Sequence, residues 1–341
     1  MRCYRCGMSV PAGAAHCPGC GEAVYAIHTG GAPVGGRRLN GCLFGDPSPR
    51  SYRATPRASG LPRKVDLRAD CSPIEDQGQI GSCTANAACG ALEYHEKTAH
   101  RPQVPLSRMF VYFNARRMAG RVPQDSGAQI AEAMAALLAY GAPEEQRWPY
   151  DVNLFAAEPP PDIFAEALRR QAPEYARVER GTGTLGALAH GYPVVFGISL
   201  PMRCFQEAGD TGLIPVPTSE ERAQAATQGG HAMLMVGYDQ DEETYLLRNS
   251  WGTGWGNQGY CRIPFRAVEE NTRPDDFWIL GKLDADGAFQ VVRPGRPAVE
   301  GTVAGMAARM REEIRGSLVK DIADAGKDIR DRLRGRPRDV P

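Results

Sequence analysis

Cys83 heads an Ala-rich run, in the stretch Gln77-Gly-Gln-Ile-Gly-Ser-Cys-Thr-Ala-Asn86. A thiol at a helix N-terminus feels the positive end of the macrodipole, which favours the thiolate, its reactive form. Gly78 and Gly81 permit close approach to that helix, and Gln77 supplies an amide donor six residues upstream. A nucleophile of this kind needs a base. Of the six histidines, only His231 has a suitable setting: it opens an apolar run directly after Gly229-Gly230, where bare backbone lets a substrate come near. The acidic stretch 239–243 then reverses the chain. A turn centred near Gln240 would set His231 opposite Asn249, Met233 opposite Leu247 and Met235 opposite Tyr245, leaving a polar pair at one end of an apolar sheet face. Asn249 would then orient the imidazole through its side-chain oxygen. Nucleophile, base, orienter and oxyanion donor are therefore expected at Cys83, His231, Asn249 and Gln77.

A second chemistry lies at the start of the chain. Cys3, Cys6, Cys17 and Cys20 form C-x2-C-x10-C-x2-C, with Gly7 and Gly21 one residue beyond each pair. Two such knuckles set four thiolates around one Zn(II), and a segment this short cannot fold on an apolar core alone. Residues 1–25 are read as a small zinc ribbon with a closed structural site, and His16 as solvent-facing. No cofactor is expected for catalysis.

Totals exclude several classes. The 341 residues carry 40 basic and 40 acidic side chains, so net charge makes no case for nucleic acid or an anionic membrane. There is no apolar run of about 18 residues, and the opening Met-Arg-Cys-Tyr-Arg-Cys does not resemble a leader. Neither a transmembrane segment nor a signal peptide is expected. Ten cysteines could suggest disulfides, but four fit the metal pattern and the rest lack a framework spacing. A reducing, cytoplasmic setting follows, with Cys42, Cys71, Cys89, Cys204 and Cys261 read as buried or incidental thiols.

The elements that must position the site come in two kinds. Residues 26–61 are rich in Gly, Pro, Arg and Ser without period and read as a flexible linker, its arginines solvated. Helices are expected at 83 onward, 106–118, 126–140 and 161–171. The third has Ile130, Met134, Leu137 and Leu138 on one face and Gly141 as terminator. The period then changes, and strands are expected at 193–200, 231–238, 244–250, 259–265 and 277–281. Residues 201–230 read as a long functional loop. From Val303 to Leu333 apolar residues recur every three or four positions, an amphipathic helix of about 45 Å suited to docking or self-association.

Gln-Gly-x-x-Gly-Ser-Cys, Gly-Gly-His-Ala and Asn-Ser-Trp-Gly-x-x-Trp-Gly-x-x-Gly-Tyr, in that order, resemble papain-like (C1 family) cysteine peptidases of the bacterial type. Trp148-Pro149-Tyr150 fits as well. The resemblance implies an α+β, two-lobed fold: a helical lobe carrying Cys83 and an antiparallel β-barrel-like lobe carrying His231 and Asn249. It implies a thiolate–imidazolium pair, an oxyanion site at Gln77 and the Cys83 N–H, and Trp251 shielding the His231–Asn249 hydrogen bond. Gly127, Gly230 and Trp251 are the expected substrate-side residues. Two positions depart from the family. Ile80 stands where a disulfide cysteine is common, and Thr84 follows the nucleophile in place of Trp, under the expected cleft.

The expected division is 1–25 zinc ribbon, 26–61 linker, 62–285 peptidase domain and 286–341 tail. The expected activity is thiol-dependent peptide hydrolysis, by an endopeptidase acting on a protein or peptide. The ribbon or linker would deliver the enzyme to a partner or cover the cleft, and the ribbon or C-terminal helix would take a protein partner. Two other readings stand beside this one: a catalytically silent peptide-binding adaptor, and amide hydrolysis or acyl transfer on a non-protein substrate.

Overall fold

The computed structural model describes residues 39–45, 51–57, 59–227, 229–283 and 287–292. The expected zinc cysteines and the amphipathic helix after Val303 lie outside these residues. Strands β1 (Arg53–Pro56) and β2 (Lys64–Asp66) precede the helical half. That half comprises α1 (Cys83–Thr98), α2 (Arg108–Met118), α3 (Ile130–Ala139) and α4 (Pro161–Ala167). Then come β3 (Tyr175–Arg177), α5 (Thr182–Ala189), β4 (Val194–Ile198), α6 (Met202–Thr211) and α7 (Ser219–Ala225). Strands β5 (His231–Asp239), β6 (Thr244–Arg248) and β7 (Tyr260–Pro264), helix α8 (Phe265–Asn271) and strands β8 (Phe277–Leu280) and β9 (Phe289–Val292) complete the order.

Local chemistry explains the boundaries. At α2, Ser107 Oγ accepts the Phe110 N–H at 3.2 Å. At α3, Gln129 and Glu132 form a capping box, so the helix begins at Ile130, where its apolar period starts, four residues later than the expected 126. Gly141 ends it with φ +72°, where an added Cβ would lie 2.0 Å from the Ala167 carbonyl oxygen.

Two apolar cores result. One gathers α1 to α4 against the inner face of the sheet, and the other lies between the sheet and α5, α6 and α8. Helix α1 carries Ala85, Ala87, Ala88, Gly90 and Ala91, small enough for it to lie directly on β5. A Cβ at Gly90 would sit 3.5 Å from Leu234.

The sheet runs β7-β6-β5-β4-β8-β3-β1-β9, with β2 paired to β5. It is mixed rather than purely antiparallel, because β1 runs parallel to β3. The stretch read as a linker contains β1, and Cys42 within it is fully buried. Likewise β9, in the expected tail, pairs antiparallel with β1 from Arg53↔Val292 to Pro56↔Phe289. The expected linker and the expected tail thus each supply a strand to the sheet, and four-residue strands carry too little apolar period to stand out in sequence.

Residues 201–230 are not one loop. Helix α6 buries Cys204, Phe205 and Ala208, and α7 starts on a Thr218–Glu221 capping box. Among the described residues no helix is long and apolar enough to cross a membrane.

Candidate active site

Cys83 is the first residue of α1 and His231 the first of β5, and both are fully buried. The β5–β6 hairpin differs from the expected register. Leu234 pairs with Arg248 and Met235 with Leu247; after a bulge at Val236, Gly237 pairs with Leu246 and Tyr238 with Tyr245. The turn occupies 240–243 because the Asp239 carboxylate accepts the N–H groups of Asp241 and Glu242, at 3.1 and 3.3 Å. His231 and Asn249 therefore meet diagonally rather than face to face. The imidazole Nε2 lies 2.8 Å from Asn249 Oδ1, which also accepts the Ser250 N–H at 2.8 Å. An atom accepting a backbone N–H is the amide oxygen, so Nε2 carries the proton and donates. Nδ1, the other ring nitrogen, has no hydrogen-bond partner.

Aromatic rings close around this imidazole. Trp251 lies 4.9 Å from it, centroid to centroid, and Phe205 from α6 meets it edge-on at 5.5 Å. Burial pushes the His231 pKa down to about 4, against the opposing pull of the Asn249 hydrogen bond. Gln77 is held at three points: its N–H donates to the Ser250 carbonyl at 2.9 Å, its Nε2 to the Ile80 carbonyl at 3.1 Å, and its Oε1 accepts from Ser250 Oγ at 2.6 Å. Tyr150 adds a support, donating to the Gln77 carbonyl at 2.9 Å and touching Ser82 Oγ. Thr84 is fully buried beneath the site, and its hydroxyl has no partner.

Residues 39–45 run across these groups. The Cys42 N–H donates to the Gly230 carbonyl at 2.9 Å and the Gly230 N–H to the Cys42 carbonyl at 3.1 Å. On the other side, the Leu43 N–H donates to the Ala128 carbonyl at 3.0 Å and the Ala128 N–H to the Gly41 carbonyl at 3.0 Å. Gly41 passes so close to the thiol that an added Cβ would lie 2.9 Å from Cys83 Sγ. Gly127, with φ +76°, leaves no room for a side chain either, its Cβ position being 2.4 Å from the Gly41 carbonyl oxygen. The cysteine helix and the histidine strand thus border one length of main chain, Gly41 against the sulfur and Cys42 bonded to the residue before the imidazole. Cys42 itself points toward Gly197, and its thiol pKa is raised well above the usual value by burial first and then by Cys83 and Asp276.

The predicted residues Gln77, Cys83, Gly127, Gly230, His231, Asn249 and Trp251 therefore gather at this one place. Sequence reasoning missed the run from Asn40 to Leu43, Phe205, and the supports Tyr150 and Ser250. The short apolar string Leu39-Asn-Gly-Cys-Leu-Phe44 inside a polar stretch was the available signal. The six described cysteines form no disulfide with one another, and among the described residues no cluster of three or more His, Cys, Asp or Glu could hold a metal.

Comparisons with known proteins point the same way. Residues 61–272 match the model of the papain family cysteine proteases. An uncharacterised peptidase C1-like protein of Acanthamoeba polyphaga mimivirus is 34% identical over 219 residues, covering 61% of this chain and 69% of the relative. Chicken cathepsin K is 31% identical, covering 60% of each chain. Among solved structures, xylellain, a cysteine protease from Xylella fastidiosa, superposes with a TM-score of 0.64 at 31% identity, over 72% of this chain and 98% of that one. With this fold, and with a family match spanning more than half its length, the chain belongs to the papain family of cysteine proteases.

Proposed function

We propose that the chain hydrolyses peptide bonds through Cys83, His231 and Asn249 by way of a thioester acyl-enzyme, and that residues 39–45 hold this site closed in the state described. The observation that carries the reading is the main chain from Gly41 to Leu43, bonded to Ala128 on one side and Gly230 on the other, directly against Cys83 Sγ. A cleft that binds extended backbone from both sides is a cleft for peptides.

In the open enzyme the Cys83 sulfur attacks the scissile carbonyl carbon. As the C–S bond forms, the π electrons move to oxygen, and the charge falls to the Cys83 N–H and the second N–H of the Gln77 amide. One such donor is worth about 3 kcal/mol of barrier. Imidazolium His231, aligned by its Nε2–H bond to Asn249, gives the Nδ1 proton to the amine nitrogen as the C–N bond breaks. Water then adds to the thioester and passes a proton to Nδ1. Collapse releases the acid and restores the thiolate–imidazolium pair. Phe205 and Trp251 support this by keeping water from the His231–Asn249 bond.

Cys3, Cys6, Cys17 and Cys20 are proposed to hold one structural zinc, on the strength of their spacing, and the N-terminal and C-terminal segments to take a protein partner. A reducing, cytoplasmic setting is proposed from a cysteine spacing that offers no disulfide framework. The silent-adaptor and non-protein-substrate readings have no observation of their own.

The test is labelling of the full chain with a peptidyl acyloxymethyl ketone, together with cleavage of a diverse peptide library. Adduct at Cys83 and cleavage lost in Cys83→Ala are expected. Label elsewhere, or undiminished cleavage in that variant, overturns the reading.

A further inference from the structure

Asp125 stands outside the cysteine, histidine and asparagine set, sealed from solvent between the two segments that a peptide would meet. The Gly81 N–H donates to its carboxylate, 3.0 Å from Oδ1 and 3.3 Å from Oδ2, two residues before the nucleophile. The Tyr112 hydroxyl donates to Oδ1 as well. The same phenol oxygen accepts the Gly127 N–H at 3.1 Å, one residue before Ala128, whose N–H and carbonyl take the crossing main chain. Asp125 and Tyr112 thus join the loop that carries the thiol to the edge that takes peptide backbone. The loops touch where neither has a side chain: a Cβ at Gly81 would lie 3.2 Å from Gly127 Cα. Ile80 leaves no disulfide at this loop.

The clamp is itself held. The Arg116 guanidinium lies 3.9 Å over the Tyr112 ring and donates to the carbonyls of Val122, Gln124 and Phe155. Gly81, Tyr112, Arg116, Asp125 and Gly127 are all buried, where a hydrogen bond restricts geometry more than it does in water. A reacting pair of atoms needs placement to a fraction of an ångström, and a misplacement of about 1 Å costs roughly 100-fold in rate.

We infer that Asp125, acting with Tyr112, is a positioning residue that sets the distance between the Cys83 thiol and the backbone-binding edge at Ala128, and so aligns the scissile carbonyl with the sulfur. The inference rests on the thiol-peptidase reading of this site. It asks nothing of the thiol's own reactivity, and that separates it from a general structural role.

The full chain would be treated in parallel with iodoacetamide, which needs only the thiol, and with the peptidyl acyloxymethyl ketone, which must also engage the edge. Both reagents wait for the same opening of residues 39–45, so the ratio of their rates at Cys83 cancels it. That ratio is expected to fall by roughly 100-fold in Asp125→Ala and about 10-fold in Tyr112→Phe. Asp125→Asn, which keeps an acceptor for Gly81, should recover most of the loss. Rates that fall together with the ratio unchanged overturn the inference and leave the peptidase reading standing. Wild-type chain unlabelled at Cys83 by the peptidyl reagent overturns both. If Asp125→Ala does not fold, Tyr112→Phe decides, because it removes one hydroxyl and keeps the ring under Arg116.

Discussion

Adding a side chain at Gly41 should open the site. An alanine Cβ there would lie 2.9 Å from Cys83 Sγ and 2.9 Å from both Cα and the carbonyl carbon of Gly81. Two of those three neighbours are backbone, which cannot rotate aside. Residues 39–45 are held by four main-chain hydrogen bonds to Ala128 and Gly230, worth about 0.5–1.5 kcal/mol each or about 2–6 kcal/mol together. Overpacking of this kind costs about 1–3 kcal/mol, a substantial part of that holding energy. The open population should rise about 5- to 150-fold, with valine at the upper end. The assay is alkylation of Cys83 by iodoacetamide in the full chain, followed by mass spectrometry. When opening and closing are faster than alkylation, the rate is proportional to the open population. Gly254→Ala serves as control, since its Cβ meets nothing within 4 Å. If Gly41→Val is alkylated no faster than wild type, residues 39–45 do not gate the thiol and the closed-site reasoning fails.

Three further outcomes can be checked. Phe205→Ala removes the ring edge-on to His231 and should cost about 3–5 kcal/mol of stability, while the His231 pKa, followed by NMR, climbs from about 4 toward the ordinary histidine range. An unmoved pKa would exclude Phe205 as a source of that burial. His231 is fully buried and His95 half-buried with its Nε2 sealed from solvent, and desolvation pushes both pKa values down to about 4. The unfolded chain therefore binds protons first as pH falls below about 6.5, and stability present at neutral pH is lost from there toward 4, by up to about 3 kcal/mol per histidine. Urea midpoints at pH 7 and 5 measure it, and a curve unchanged by His95→Gln excludes that residue's share. Finally, the chain should carry one zinc per molecule by atomic absorption, lost in a Cys3→Ser, Cys6→Ser variant that keeps reactivity at Cys83.

The chemistry-bearing residues were legible because each sits in a short motif whose spacing is its own signal. Cys83 follows a Gly-rich entry, His231 follows Gly229-Gly230, and Asn249 opens an Asn-Ser-Trp-Gly run. The long strands were legible too, since β5 is buried along its whole length and carries almost unbroken apolar residues. Register was not. It turned on the Asp239 carboxylate capping its own turn and on one extra residue at Val236, neither of which alters the hydrophobic pattern. Helix α6 escaped for another reason: Cys204, Phe205 and Ala208 lie on one buried face with Met202 packed beside them, but the Pro and Gly residues of 201–230 give a loop signal that outweighs so short a face. Gly41 and Asp125 were illegible in principle, because their importance lies in what approaches them from elsewhere in the chain.

The pairing of β1 with β3 and β9 has a kinetic consequence for the residues that cross the site. Only residues 46–50 separate Gly45 from Ser51, two positions before β1. As a free heptapeptide, residues 39–45 would be a weak ligand with four main-chain hydrogen bonds. Anchored seven residues from a strand in the sheet, they meet the cleft again at an effective concentration on the order of millimolar, whatever the concentration of enzyme. A substrate that displaces them competes with a ligand that never leaves, so opening by substrate is reversible and self-limiting. Scission anywhere between Gly45 and Ser51 removes that local excess permanently, and turns a reversible competition into a one-way release.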